Sequence, residues 1–225
     1  MALILNIDTA VDVASLCLAI DGKLLSIAKN ESQKDHASWL HIAIKEIFEK
    51  NNLELGSVDA IAVTGGPGSY TGLRIGMATA KGICFALNKP LISMNTLLVM
   101  ANAAKNESAD LLCPMIDARR MEVFTAIYTK ELKIVRDPSA ITLNENSLAE
   151  YLSNNSICFF GNGSSKFRTI NKHEKAIFND LKADASSMIS LSEKSFAEKG
   201  FADLAYAEPL YLKEFYTPAK GPFTK

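Results

Sequence analysis

The 225-residue chain carries 24 basic and 25 acidic side chains, a formal net charge of −1, and is 48 % apolar. That balance gives ample material for a core and excludes nucleic-acid binding driven by an overall basic excess. No run approaches the roughly 20 apolar residues of a membrane span. The cysteines Cys17, Cys84, Cys113 and Cys158 are far apart in apolar segments, and read as buried thiols with no disulfide or metal framework. The opening Met1-Ala2-Leu3-Ile4-Leu5-Asn6-Ile7-Asp8 reads as a strand without a basic leader, and a cytoplasmic setting with no membrane is expected.

In chain order, strands are predicted over residues 3–9, 13–20 and 23–29, with Asp21-Gly22 as a hairpin turn between the last two. A helix follows from an Asp35 N-cap to residue 50, its apolar face made of Trp39, Leu40, Ala43, Ile44, Ile47 and Phe48. Residues 58–64 read as a strand buried on both faces. They run into Gly65-Gly66-Pro67-Gly68-Ser69-Tyr70-Thr71-Gly72, and residues 73–87 continue as a helix. Four glycines and a proline in eight residues belong to a turn of unusual backbone angles, either a ligand or partner site or a tight connection. No Gly-Lys-Ser/Thr follows, so a Walker loop is excluded. A strand over 90–94 and a helix capped by Asn95 or Thr96 and reaching about residue 105 complete this half.

The pattern then restarts. Residues 111–118 echo 3–9, each an apolar strand ending in Ile-Asp; 121–128 answer 13–20, and 132–136 answer the third strand. A helix over 147–152 and a strand over 157–160 continue the copy. Residues 171–185 are polar without periodicity, Ser186 or Ser187 caps a last helix stopped by Gly200, and an amphipathic stretch follows at 208–213. Two α/β lobes are expected, 1–105 and 106–225, the second degenerate and the extreme C-terminal tail packing back on the first. Asp8 and Asp117 are placed at equivalent strand ends facing the cleft between them.

Duplicated lobes with aspartate-bearing hairpins are the plan of the actin, sugar-kinase and Hsp70 fold, an α/β class with duplicated βββαβα units. At Ile7-Asp8-Thr9-Ala10, His36-Ala37-Ser38-Trp39-Leu40, Asp59-Ala60-Ile61-Ala62-Val63, Gly66-Pro67-Gly68-Ser69-Tyr70-Thr71-Gly72-Leu73-Arg74-Ile75-Gly76 and Asp117-Ala118-Arg119, the chain resembles the TsaB family. These are glycoprotease-like bacterial subunits for threonylcarbamoyladenosine synthesis on tRNA. The resemblance implies a non-catalytic scaffold that pairs with the paralogue TsaD, joined by the ATPase TsaE, or forms a homodimer when alone. Contact with tRNA is then indirect, through the complex.

TsaD-like proteins carry a His-x-x-x-His pair just after the segment matching 89–92; here residues 93–100 hold no histidine. His36 and His41 are five apart, about 140° around a helix, and His173 lies in the polar segment, so no metal site is expected and a metallopeptidase is disfavoured. Asp8, Thr9, Asp117, Arg119, Gly161, Asn162 and Gly163 are the candidates for nucleotide contact, with ATP or ADP the ligand and no cofactor required. Arg119 reads either as an anion ligand or as a salt-bridge partner of Asp8. Gly161-Asn162-Gly163-Ser164 reads either as an adenosine loop or as a turn leading into a helix. For partner contact the candidates are His36, Trp39, Leu40, Gly72, Arg74, Gly76 and Ala80, the last group through a small-residue stripe open to another helix. Arg74, Lys81, Arg119 and Arg120 are candidates for a local basic patch. A small-molecule kinase or ATPase using Asp8 and Asp117 is the alternative function.

Overall fold

In the computed structural model residues 2–30 and 36–213 are described, His36 without its side chain. The apolar N-terminal runs build β1 (Leu3–Asp8), β2 (Ala14–Ile20) and β3 (Lys23–Asn30). Asp21 and Gly22 turn between the last two at φ 47° and 71°, a region that aspartate tolerates and glycine enters freely. After α1 (His36–Lys50), β4 (Ala60–Gly66) pairs parallel with β1. Then come α2 (Tyr70–Leu87), β5 (Leu91–Asn95) and α3 (Thr96–Ala103), the last capped by the Asn95 side chain, which accepts from Leu97 N and Leu98 N.

The second half repeats the plan with β6 (Leu111–Asp117), β7 (Glu122–Thr129), β8 (Ile134–Thr142), α4 (Ala149–Leu152), β9 (Ile157–Phe160), α5 (Ser164–Ile170) and β10 (Ala176–Phe178). The sheet orders are β3-β2-β1-β4-β5 and β8-β7-β6-β9-β10, which are the same topology. Three details depart from expectation. β8 runs on past residue 136 through Pro138 to Thr142, which an edge strand permits because one side of its ladder is unpaired. β10 forms inside the segment expected to be irregular; three residues are too few to show alternation in sequence. The last helix, α6 (Ile189–Ala197), follows a 3-10 turn over Ala185–Met188 whose cap is Asp184 rather than either serine. The Asp184 carboxylate accepts from Ser186 N at 2.8 Å.

The β1–β5 sheet is covered on both faces. On one, Leu40, Ile44, Ile47 and Phe48 of α1 and Met77, Ala80 and Cys84 of α2 meet Leu5, Ile7, Leu16 and Val63. Burying a side chain of this size is worth about 1.5–3 kcal/mol, so the inner face of α1 is committed to its own sheet. On the other face lie Ala185, Met188 and Ile189, with Val99 of α3. α3 is apolar all round because its Leu97, Met100 and Ala101 enter the core of the second lobe. The strands divide at residue 105, but from Asp184 the chain lies against the first lobe. Asp184 pairs with Lys29 at 2.6 Å, and Ala202 N donates to Leu91 O at 2.8 Å. Lys81 Nζ donates to Ala205 O and Ala207 O, and Leu210 N to Gly65 O at 2.7 Å.

All four cysteines are free and buried. Burial pushes Cys17 and Cys113 up to about 12 and Cys84 and Cys158 up to about 11, so all four remain thiols at neutral pH. No helix among the described residues is long and apolar enough to cross a membrane.

Candidate functional site

At the end of β1 the Asp8 carboxylate is 1 % exposed, and its Oδ1 accepts from Ala10 N at 3.1 Å and from Thr64 Oγ1 at 2.9 Å. Burial raises its pKa, against the pull of those two donors. Thr9 is fully buried, and its hydroxyl donates to Gly72 O at 2.7 Å. The glycine turn closes over this hairpin, and Ser69 N donates to Ala10 O at 2.7 Å. A Cβ at Gly68 would strike Ala10 O, one at Gly72 would strike Thr9 O, and one at Gly76 would strike Thr9 Oγ1. Gly66, at φ 115°, also admits the backbone of Leu210. The glycines therefore serve close backbone packing, with the hairpin on one side and the C-terminal leg on the other.

That geometry corrects several expectations. Asp8 and Thr9 do not face the cleft, and Asp8 has no contact with Arg119. Gly72, Gly76 and Ala80 point inward, against β1 and β4, so they are not a surface for another helix; Leu40 is likewise fully buried. Trp39 is half-buried against the same core. His36, by its side chain, and Asp35 lie outside the described residues. Arg74 is exposed, its guanidinium 4.0 Å from the Tyr70 ring and donating to Tyr211 Oη at 3.2 Å. Lys81 is spent on the C-terminal leg, so the four-cation patch does not form. Gly161, at φ 90°, and Gly163 pack tightly on Met115 and Ile116, and the segment is the turn leading into α5.

Asp117, Arg119 and Asn162 do come together, on the second-lobe wall of an inter-lobe cavity of about 1420 Å³. The Asp117 carboxylate accepts from Arg119 N at 2.6 Å and from Lys166 Nζ at 2.5 Å. Asn162 bridges the lobes, its carbonyl accepting from Asp117 N and its amide donating to Asp12 Oδ2, both at 2.9 Å. The opposite wall carries Tyr70 and Tyr211, with ring centroids 5.1 Å apart. Lys213 crosses the mouth to an ion pair with Glu122. Sequence reasoning missed Asp12, Lys166, Tyr211 and Lys213, which are brought in from remote segments with no local motif. Among the described residues no three His, Cys, Asp or Glu side chains converge as a metal site.

A second region lies outside, on α1 and α2. Ile42 is 57 % exposed and Phe85 82 %, Ala78 is exposed, and a Cβ at Gly82 would meet nothing within 4 Å. A hollow of about 360 Å³ is lined by apolar Ile44, Phe48, Leu53, Leu55 and Ile83 together with His41, Lys45 and Glu49.

Two lobes of one topology, each opening on an Asp-bearing hairpin at a shared cleft, make this an α/β protein of the actin, sugar-kinase and Hsp70 class. Two solved structures share that fold across the chain. One is a Pseudomonas aeruginosa protein described as similar to peptidase YeaZ (TM-score 0.84, 24 % identity, 95 % of this chain and 100 % of that one). The other is YeaZ from the same organism (TM-score 0.79, 24 % identity, 94 % and 100 %). Residues 27–216 match the family described as TsaD, tRNA N6-adenosine threonylcarbamoyltransferase. The tRNA threonylcarbamoyladenosine biosynthesis protein TsaB of Buchnera aphidicola subsp. Baizongia pistaciae is 33 % identical over 170 residues, 73 % of this chain and 76 % of that protein. The proteins of the same name from Haemophilus influenzae and Escherichia coli are 35 % and 33 % identical over 57 % of this chain, and these matches span little more than half of those proteins, 54 % and 55 %. The chain belongs to the TsaB family, within the wider TsaD-like group.

Proposed function

We propose that the chain is a non-catalytic partner in threonylcarbamoyladenosine synthesis on tRNA, pairing with a TsaD paralogue that transfers the threonylcarbamoyl group to the adenosine beside the anticodon. TsaE is the third protein of that assembly, and a homodimer is the form taken when TsaD is absent. Family membership supports the pathway. The observation that carries the partner role is the open outer face of α1 and α2, where Ile42 and Phe85 stand in solvent. Covering each would return about 1.5–3 kcal/mol, and an exposed apolar patch of this kind is the mark of an interaction surface. Non-catalytic character is supported by the absence of histidine from residues 93–100 and by the sealing of Asp8 beneath the glycine turn. The alternative, a kinase or ATPase using Asp8 and Asp117, is disfavoured because Asp8 is buried away from the cleft that Asp117 lines. The net charge of −1 supports tRNA contact through the other subunits.

The test is co-purification with TsaD from the same cell, followed by assay of threonylcarbamoyladenosine on tRNA. Wild type is expected to form a stable complex whose activity needs both proteins. Phe85→Asp and Gly82→Arg should each weaken pairing at least about tenfold, with unchanged circular dichroism and melting. Pairing by both variants at the wild-type level would move the surface elsewhere; no complex with wild type would end the reading.

A further inference from the structure

We propose that the outer face of the second sheet holds a small monovalent anion of the halide class, gripped by the guanidinium of Arg136 and the hydroxyl of Ser139 on β8. The site lies apart from the cleft and from the outer face of α1 and α2, and it stands without the partner role.

The strand itself places the two groups. Residues three apart on a regular strand point to opposite faces. β8 is not regular. Ser139 pairs with Thr125 and Arg136 with Ile127, so three steps on β8 span two on β7, and a second shift follows before Ile134 pairs with Tyr128. Two bulges thus bracket Arg136 and turn it to the same face as Ser139; re-aiming a side chain is a common use of bulges on edge strands. That face belongs to the core of Cys113, Met115, Val123 and Ile127, roofed by Leu143, Leu148 and Leu152. The cleft is on the other side, where Ile116 and Phe124 line it.

Hydrogen bonding leaves the pair without an acceptor. Among the described residues four buried side-chain nitrogen or oxygen atoms have no hydrogen-bond partner, and Arg136 Nη1 and Ser139 Oγ are two of them. The neighbours are already engaged. Thr125 Oγ1 donates to Pro114 O at 2.8 Å and lies 3.2 Å from Cys113 Sγ. The thiol is no counter-ion, since burial pushes it up to about 12 although Thr125 and the Arg136 charge pull it down. Asp137 is exposed, and its charge acts on Tyr128, on the opposite face. A guanidinium only donates and keeps its charge, so its buried end lacks both an acceptor and a countercharge, which costs more than an unpaired neutral group. A water would supply the acceptor alone. An anion supplies both, through charge-assisted bonds. One positive charge calls for one negative, and apolar surroundings favour an ion that sheds its water easily. Chloride fits, and bound there it fastens the bulged edge strand to its sheet.

The test is thermal melting of the full chain in sodium chloride and in sodium gluconate at equal ionic strength, on wild type, Arg136→Met and Ser139→Ala. Relative to Arg136→Met, wild type is expected to gain about 2–4 °C when saturating chloride replaces gluconate. Ser139→Ala keeps the charge and loses one donor, so its gain should be smaller than that of wild type; it carries the comparison if Arg136→Met fails to fold. Wild-type crystals grown in sodium bromide should show an anomalous peak in contact with Arg136 Nη1. An equal anion response in wild type and the folded variants, or a water in place of bromide, would overturn the inference. So would a bromide peak without a variant-dependent response, which is an adventitious ion only.

Discussion

In both lobes the aspartate that ends the first strand accepts a hydrogen bond from the amide two residues on, Ala10 N to Asp8 and Arg119 N to Asp117. Around that shared turn the surroundings diverge. In the first lobe the glycine turn descends on the hairpin, seals Thr9 and Ala10, and leaves Asp8 to a neutral threonine hydroxyl. In the second lobe the shorter glycine turn after β9, Gly161 to Gly163, packs on Met115 and Ile116 without covering the carboxylate; Asp117 stays at the cleft, balanced by Lys166, and the two arginines beside it remain open. The backbone device is common to both copies. What packs over it decides whether a carboxylate is structural or available.

The largest effect should come from breaking the seal. Gly72→Ala drives a Cβ into the Thr9 carbonyl, which the backbone cannot easily vacate, and should cost about 1–3 kcal/mol by urea unfolding. Gly82→Ala, on the open side of the same helix, should instead gain up to about 1 kcal/mol from helix propensity. Equal effects at the two positions would contradict the inward assignment of the stripe.

Next is pH. Because burial raises the folded pKa of Asp8, the folded state holds that proton more tightly than the unfolded one. The resulting stability is complete below the unfolded carboxyl pKa and is lost as pH rises through the folded value. Asp8→Asn keeps an oxygen for Ala10 N and Thr64 and removes the titration. Its stability relative to wild type should therefore climb as pH rises from about 4, the unfolded carboxyl range, until the folded Asp8 itself ionises. Parallel urea midpoints across that range would show that the carboxylate is not held as described.

The smallest change is expected at the cleft mouth. Lys213→Ala removes an ion pair whose side chains are 46 % and 28 % exposed, and should shift stability by no more than about 1 kcal/mol. A much larger loss in thermal melts would mean that the C-terminal leg holds the two lobes together as well as crossing between them.

Much of this architecture was legible in the sequence. The Ile-Asp strand ends, the Asp21-Gly22 turn and the apolar face of α1 each announce themselves locally, and the echo of residues 3–9 in 111–118 announces the duplication. The small-residue stripe at Gly72, Gly76 and Ala80 was legible as a close approach but not as to what approaches, since a partner helix and the remote Thr9 hairpin impose the same spacing. Lys166 and Lys213 have no motif at all. Each reaches the cleft only because a long-range register brings it there, through the β6–β9 pairing that leads into α5 and through the return of the leg across Gly65.

That return has a consequence for how the protein is made. One face of the first sheet is covered by Ala185, Met188 and Ile189, and Leu91 and Gly65 wait for Ala202 and Leu210. Synthesis delivers the strands of that sheet early and their cover only after the whole second lobe has emerged from the ribosome. At roughly 5–20 residues per second, the nascent first lobe spends several seconds with Ile4, Ala62 and Ile92 covered by no more than Val99 of α3. During translation, then, the half of the molecule that is born first is the half that finishes last.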